Sequence, residues 1–275
     1  MAGEYNPHLL GGFFLLLRPL FCYNNNMEDR FFRFSNLSSF PEIVHGISSR
    51  NYGDMRFNKL PSQEVAKNRS IFLGDLDINL SDIVYPKLCH GAKIKVVGHN
   101  ERGKGSVSPG NAIALTDGLI TAEKEVYLLI TGADCLPILI YDPLMQIIGA
   151  IHAGWRGILN QIIPNTIGKF KNLGSDPENL IVGIGPAICQ KHFVVKNDVL
   201  ENFMDLYPSV SLIRNNHGYV DLKKAALLDL KKAGVPKGNI ELSLTCTACE
   251  NGTYGSFRKE GEGAPAMAAV IGMRE

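Results

Sequence analysis

Between Val126 and Gly157 the chain runs through three apolar segments separated by small-residue turns, and no other stretch limits its fold so tightly. Val126-Tyr127-Leu128-Leu129-Ile130 discharges into Thr131-Gly132-Ala133-Asp134-Cys135, and Leu136-Pro137-Ile138-Leu139-Ile140 into Tyr141-Asp142-Pro143. The third run, 147–151, ends at His152-Ala153-Gly154-Trp155. Short apolar runs bounded by turn residues read as buried strands, so the sequence predicts strands over 126–131, 137–141 and 146–151. If the strands ending near 131 and 151 lie side by side, Cys135 and His152 emerge together. A thiol and an imidazole at strand ends suit either a metal or a nucleophile paired with its base.

The rest of the chain switches between the two periodicities. Residues 43–48, 92–98, 180–184, 240–244 and 266–273 read as further strands. Apolar spacing predicts helices over 64–73, with Lys67 and Arg69 turned outward, and 159–170, where Pro164 kinks the helix or marks its true start. Two more helices begin at Asn197, expected as a cap, and at Asp221, with Gly234 just past the C-terminal end. No repeat, linker or break in composition divides the 275 residues. The expectation is one α/β domain (mixed α+β) over residues 27–275, a central mixed sheet flanked by helices. Residues 1–26, followed by a second candidate start at Met27, read as an upstream extension or disordered tail.

Charge and cysteine usage remove several function classes. A formal net charge of +1 lacks the basic excess of a nucleic-acid binder, and Lys223-Lys224 and Lys231-Lys232 read as solvated helix faces. The apolar stretch 8–22 is too short to cross a bilayer and lacks the basic start and cleavage site of a signal peptide. Neither nucleic acid nor membrane is expected as a partner. Six cysteines in a chain of this length are too sparse for a disulfide framework. Reduced thiols and a cytoplasmic location are the expectation.

Cys135, His152 and His90 each sit beside Gly or Ala, where backbone approaches closely and side chains project into a cleft. Three such ligands with a fourth position left to water make a catalytic zinc site. Spacing alone leaves a second reading open, a buried thiol with two hydrogen-bonded histidines. Cys246-x-x-Cys249 looks like half of a structural zinc site without a second such cysteine pair. Joining it to His99-Asn100-Glu101 imitates a zinc nucleobase deaminase, but the interval is far too long and the proline before the first cysteine is missing. Arg50 and Arg156 suit an anion clamp or a plain surface position. Gly103-Lys104-Gly105-Ser106 lacks the full phosphate-loop spacing and reads as a turn. Trp155, the single tryptophan, suits packing or base stacking equally.

Several blocks occur in an informative order: Gly118-Leu119-Ile120-Thr121, Thr131-Gly132-Ala133-Asp134-Cys135-Leu136-Pro137, Tyr141-Asp142-Pro143 and His152-Ala153-Gly154-Trp155-Arg156-Gly157. Together they resemble the multicopper polyphenol oxidase (laccase-domain) family, now described as purine nucleoside phosphorylases. The likeness runs from about residue 43 to the C-terminus and takes in Asn68-Arg69, His90-Gly91, Gly185-Pro186, Asp221-Leu222, Cys246-Thr247 and Ser256-Phe257-Arg258. The resemblance implies zinc ligands at His90, Cys135 and His152, and an anion-binding arginine at Arg50. Departures occur at Ser49-Arg50-Asn51-Tyr52-Gly53, at Leu88-Cys89 and around Ala264-Pro265-Ala266, where the family has other residues.

What the resemblance implies is a zinc enzyme that phosphorolyses adenosine, inosine and methylthioadenosine and deaminates adenosine, with purine nucleosides and phosphate as partners. Zinc lowers the pKa of bound water to about 7, which suits attack at purine C6. Phosphorolysis instead needs a cation to hold phosphate against the ribose carbon; Arg50 is the candidate. Asp134, beside the thiol, is the candidate general base or the partner that orients a histidine. Two rivals stand beside this reading: a copper-dependent polyphenol oxidase (laccase), and a metal-free hydrolase with Cys135 as nucleophile and His152 as base.

Overall fold

A computed structural model describes residues 30–57 and 60–275; the expected extension over 1–26 lies outside them. Strands that are apolar along their whole length need cover on both faces, and this chain supplies it in layers. Six strands form a mixed sheet in the order Ile240–Leu242, Ile181–Ile184, Leu136–Asp142, Ile147–Ala153, Gly118–Thr121, Ile94–Val96. Five more form a second sheet in the order Phe31–Phe32, Ile43–Ser48, Met267–Met273, Tyr127–Gly132, Ile83–Val84. A small antiparallel sheet joins Val194–Val195, His217–Val220 and Ser211–Arg214. The expected α/β class is found.

The six-stranded sheet is the middle layer. Ile138, Ile140 and Ile151 face helices Ile162–Asn172 and Leu222–Lys232, packing with Ile163, Phe170 and Leu230. Alternate residues Leu139, Tyr141 and Ile148 face the five-stranded sheet and meet Leu128, Ile130 and Ile271. Side chains along a strand point to opposite faces in turn, so both central strands are buried throughout.

The strand pairing differs from the expectation in one respect that matters. Tyr127–Gly132 does not lie beside Ile147–Ala153; it pairs with Met267–Met273 and Ile83–Val84 in the other sheet. The neighbour of Ile147–Ala153 is Leu136–Asp142, which runs antiparallel to it with Pro137 opposite His152. Cys135, immediately before that strand, therefore reaches the same sheet end as His152 by a different route.

Helix ends show which local signals acted. Pro164 sits in the first turn of Ile162–Asn172, where its missing N–H costs no helical bond. The preceding helix, Trp155–Leu159, is broken off by Gln161 in a left-handed conformation, φ 62°. Asp221 caps Leu222–Lys232 by accepting from Lys224 N, and Gly234 follows its end at φ 101°. Asn197, expected as a cap, is instead the first helical residue, with Lys196 before it.

Two cations expected at the surface are buried. Arg69 is fully enclosed; its guanidinium lies 4.3 Å from the Phe57 ring centre and 4.1 Å from that of Tyr85. It donates to the carbonyls of Met55, Gly105 and Ser106, the last two in the Gly103–Ser106 turn. Three carbonyl acceptors and two aromatic faces replace the hydration that the cation loses. Lys223 turns inward similarly, donating to Ser243 O and Thr245 O at 2.7 Å each.

Strand Ile43–Ser48 buries His45, whose Nε2 accepts from Phe34 N at 2.9 Å. Burial, then the charge of Arg33, lowers this imidazole from 6.5 to about 4, against a smaller opposing pull from Glu241. Because the folded value is the lower one, the unfolded chain binds the extra proton. The contribution to stability is thus complete above pH 6.5 and is lost as pH falls toward 4. Denaturant titrations should lose roughly 2 kcal/mol between about pH 7 and pH 5 from this residue, and His45→Gln should flatten that loss. An unchanged slope in the variant would refute the assignment.

Candidate metal centre

The site is assembled at one end of the middle sheet. Cys135 comes from the turn before Leu136–Asp142, His152 from the end of Ile147–Ala153, and His90 from the loop ahead of Ile94–Val96. Their ligand atoms all lie within 4.8 Å of one another. The two imidazoles stand edge to face with ring centres 4.8 Å apart. Gly154 leaves the room: a Cβ there would meet Cys135 Sγ at 3.0 Å and His90 Cδ2 at 3.3 Å.

Asp117, fully buried at the start of Gly118–Thr121, organises two of the three donors. Its Oδ1 lies 3.0 Å from His152 Nδ1 and accepts from His90 N at 2.9 Å. Its Oδ2 accepts from Gly91 N at 2.7 Å and from Cys89 Sγ at 2.9 Å. His90 is held in a left-handed conformation, φ 58°, by this cradle. Burial pushes the Asp117 carboxyl up, but hydrogen bonds from His152, Cys89 and Gly91 outweigh it and hold it down to about 2. An ionised Asp117 fixes the His152 proton on Nδ1 and turns Nε2 toward the thiol.

Burial raises the Cys135 thiol, yet the imidazoles of His152 and then His90 overcome it and hold the thiol below its ordinary value. Burial likewise lowers His152, but the Cys135 thiolate and the Asp117 carboxylate carry it above its own. The sulfur is therefore primed as a thiolate, the form in which cysteine binds a metal. One thiolate and two imidazoles with an open side suit a divalent ion.

The group faces a cleft of about 780 Å3. Tyr85, Trp155, Phe193 and Phe257 contribute aromatic walls, and Arg56, Lys87, Arg156 and Arg258 bring positive charge. Arg156 lies over the Trp155 ring at 4.1 Å. Arg258 donates to His192 O at 2.6 Å and to Val194 O at 2.9 Å. Arg50 is not among the residues lining this cleft. Its guanidinium donates to Asn251 O and pairs with Glu260 at 3.0 Å.

Asp134 does line the cleft, but its carboxylate is taken up by the 247–258 segment. Oδ1 accepts from Thr247 Oγ1 at 2.6 Å and Ser256 Oγ at 2.8 Å, and Oδ2 from Arg258 N at 2.6 Å. Its backbone is left-handed, φ 81°, a conformation that persists only when neighbours over-determine it. The carboxylate beside His152 is Asp117, a residue that no motif in the sequence marks; its one signal is its place just before the Gly118-Leu119-Ile120-Thr121 block. The Cys246-Cys249 pair is met by Cys189 and His192, not by His99, which pairs with Glu123. A search for cysteine pairs alone misses Cys189-x-x-His192.

A family model described as multi-copper polyphenol oxidoreductase laccase matches residues 44–274. The chain belongs to this family. Among curated relatives, the purine nucleoside phosphorylase YlmD of Bacillus subtilis is 29% identical over 249 residues, covering 85% of this chain and 90% of that protein. Its namesake from Geobacillus stearothermophilus is 33% identical over 218 residues, 77% of this chain and 80% of that one. The adenosine deaminase RL5 of an unknown prokaryotic organism is 29% identical over 191 residues, 68% and 73% of the two chains. The crystal structure of YlmD from Geobacillus stearothermophilus superposes with a TM-score of 0.84 at 29% identity, spanning 91% of this chain and 98% of that one. No helix among the described residues is long and apolar enough to cross a membrane.

Proposed function

We propose that this member of the laccase-like family is a zinc-dependent purine nucleoside phosphorylase that also deaminates adenosine. The carrying observation is the convergence of His90, Cys135 and His152 within 4.8 Å at the cleft. Support also comes from the relatives, which are named for both activities. A cleft of about 780 Å3 has room for a nucleoside and an anion together. Its aromatic walls suit the π face of a purine, a contact worth about 1–3 kcal/mol per base.

When bound, zinc supplies Lewis-acid activation of water for attack at purine C6. His90, Cys135 and His152 are the proposed ligands, and Asp117 holds the His152 proton away from the metal-facing nitrogen. In phosphorolysis the burden falls on cations that bring phosphate to the ribose carbon as positive charge develops there. Lys87 and Arg156 line the cleft and take that role, whereas Arg56 is bound to Asp54, Arg258 to His192 O and Val194 O, and Arg50 to Glu260 and Asn251. Asp134 acts as a positioning residue, binding the 247–258 segment to the cysteine turn.

Incubating the purified protein with adenosine and phosphate tests the reading. Adenine in the chromatogram reports phosphorolysis, inosine reports deamination and hypoxanthine both; unchanged adenosine removes the nucleoside reading. Two imidazoles and one thiolate also compose mononuclear copper sites, so metal analysis belongs with the assay. Copper in stoichiometric amount, with oxidation of a phenol, would favour the polyphenol oxidase instead.

A further inference from the structure

Four soft donors meet behind the Phe193 wall of the cleft and share no residue with the His90, Cys135 and His152 group. Cys189 and His192 are the ends of one tight turn, in which His192 N donates to Cys189 O at 3.0 Å. Cys246 and Cys249 end a second, in which Cys249 N donates to Cys246 O at 3.1 Å. In such turns residues three apart project to the same side. The two turns are locked face to face: Cys189 N donates to Cys246 Sγ at 3.2 Å, Ala187 N to Thr245 O at 3.4 Å, and Thr247 N to Ala187 O at 3.4 Å.

Three sulfurs surround one imidazole nitrogen. His192 Nδ1 is 3.4 Å from Cys189 Sγ, 3.5 Å from Cys249 Sγ and 3.7 Å from Cys246 Sγ. A tetrahedral zinc with its usual Zn–S and Zn–N bonds separates sulfur from nitrogen by about 3.6 Å. Hydrogen bonding does not account for this, because Nδ1 carries at most one proton for three sulfurs. Disulfide bonding does not either: all three thiols are free, and a pairing of three leaves one over.

We propose that Cys189, His192, Cys246 and Cys249 form a second, structural zinc site closed by four protein ligands. The spacing is Cys-x-x-His with Cys-x-x-Cys, two clasps brought together by the fold rather than by proximity in sequence. Three thiolates on a dication leave one net negative charge. The Lys223 ammonium, bound to Ser243 O and Thr245 O, and the Arg258 guanidinium, bound to His192 O, lie against it. The clasp ties the segment carrying Ile188 and Phe193 to the one carrying Thr247, Ser256 and Arg258, and so fixes a wall of the cleft from behind.

The test is a zinc count by elemental analysis of the full chain, purified under reducing conditions without a metal-affinity tag. The expected result is two zinc per chain in the wild type, with Cys249→Ser losing one and keeping the other. Cobalt added to the zinc-stripped wild type should give an intense thiolate-to-metal band from this site. That band should survive His152→Ala, and in Cys249→Ser it should fall to no more than the weaker absorption of the single Cys135 thiolate in the cleft, which covers the case in which the variant is isolated only in small folded amount. The same zinc count in the wild type and in Cys249→Ser, or iron in place of the zinc that Cys249→Ser loses, would each overturn the proposal. Failure of the nucleoside assay leaves this count untouched, so the two readings fall separately.

Discussion

His152→Ala is expected to lose the cleft metal and nucleoside turnover together, with activity down by roughly 10³-fold or more, since Lewis-acid stabilisation is worth several kcal/mol. The imidazole is the best anchored of the three donors: it is 3% exposed, and its Nδ1 is 3.0 Å from a fully buried carboxylate. Removing it takes one donor from three and strips the Cys135 thiolate of its principal positive neighbour. The thiol then rises, a second penalty on metal binding, because the sulfur must shed a proton to bind. Metal content, steady-state turnover and circular dichroism on the same preparation decide the matter. A folded, metal-replete and active variant would defeat the assignment.

The same array, Asp117 to His152 to Cys135, also has the order of an orienting acid, a base and a nucleophile. His152→Ala alone does not separate that reading from a metal site, since both lose activity. Chelation does. A cysteine hydrolase keeps its rate when metal is stripped and loses it to a thiol-alkylating reagent; a metal enzyme loses its rate on stripping and recovers it when zinc is returned.

How far the sequence announces this site depends on the range of the contact. Cys135 and His152 stand at the ends of apolar runs, and a period-two pattern shows where a strand stops and a side chain is released. Which strand lies beside which is not a local property. Tyr127–Gly132 and Leu136–Asp142 are both apolar runs, yet they enter different sheets on either side of a short turn through Asp134. Residue type makes Arg69 and Lys223 look solvated, yet both are enclosed by carbonyls supplied from distant loops. Asp117 is 35 residues from His152, and Cys189 is 57 from Cys246. Such pairs are set by tertiary approach, so no window of sequence contains them. The family likeness supplied the ligand trio; it did not supply the carboxylate behind it.

That carboxylate carries the second large expectation. Asp117→Asn should weaken zinc binding by about 10–100-fold, the usual consequence of losing an outer partner of a metal-bound histidine. The substitution preserves volume and removes only charge and acceptor capacity. As a carboxylate, Asp117 receives His152 Nδ1, His90 N, Gly91 N and Cys89 Sγ on two oxygens, all of them donors. An asparagine offers one oxygen and an NH2 group that points its own donors at two of those four. Each buried donor left unpaired costs about 1–3 kcal/mol, so the unfolding midpoint should fall as well. His90 then loses the contact that holds its backbone at φ 58°, and His152 is free to place its proton on the nitrogen that a metal needs. A competition titration with a chromogenic zinc chelator measures the affinity. Because the Asp117 carboxyl is held at about 2, the wild type stays ionised through the neutral range, and the gap between the two proteins should not narrow between about pH 6 and pH 8. Unchanged zinc affinity in Asp117→Asn would mean that the imidazole is oriented by packing alone.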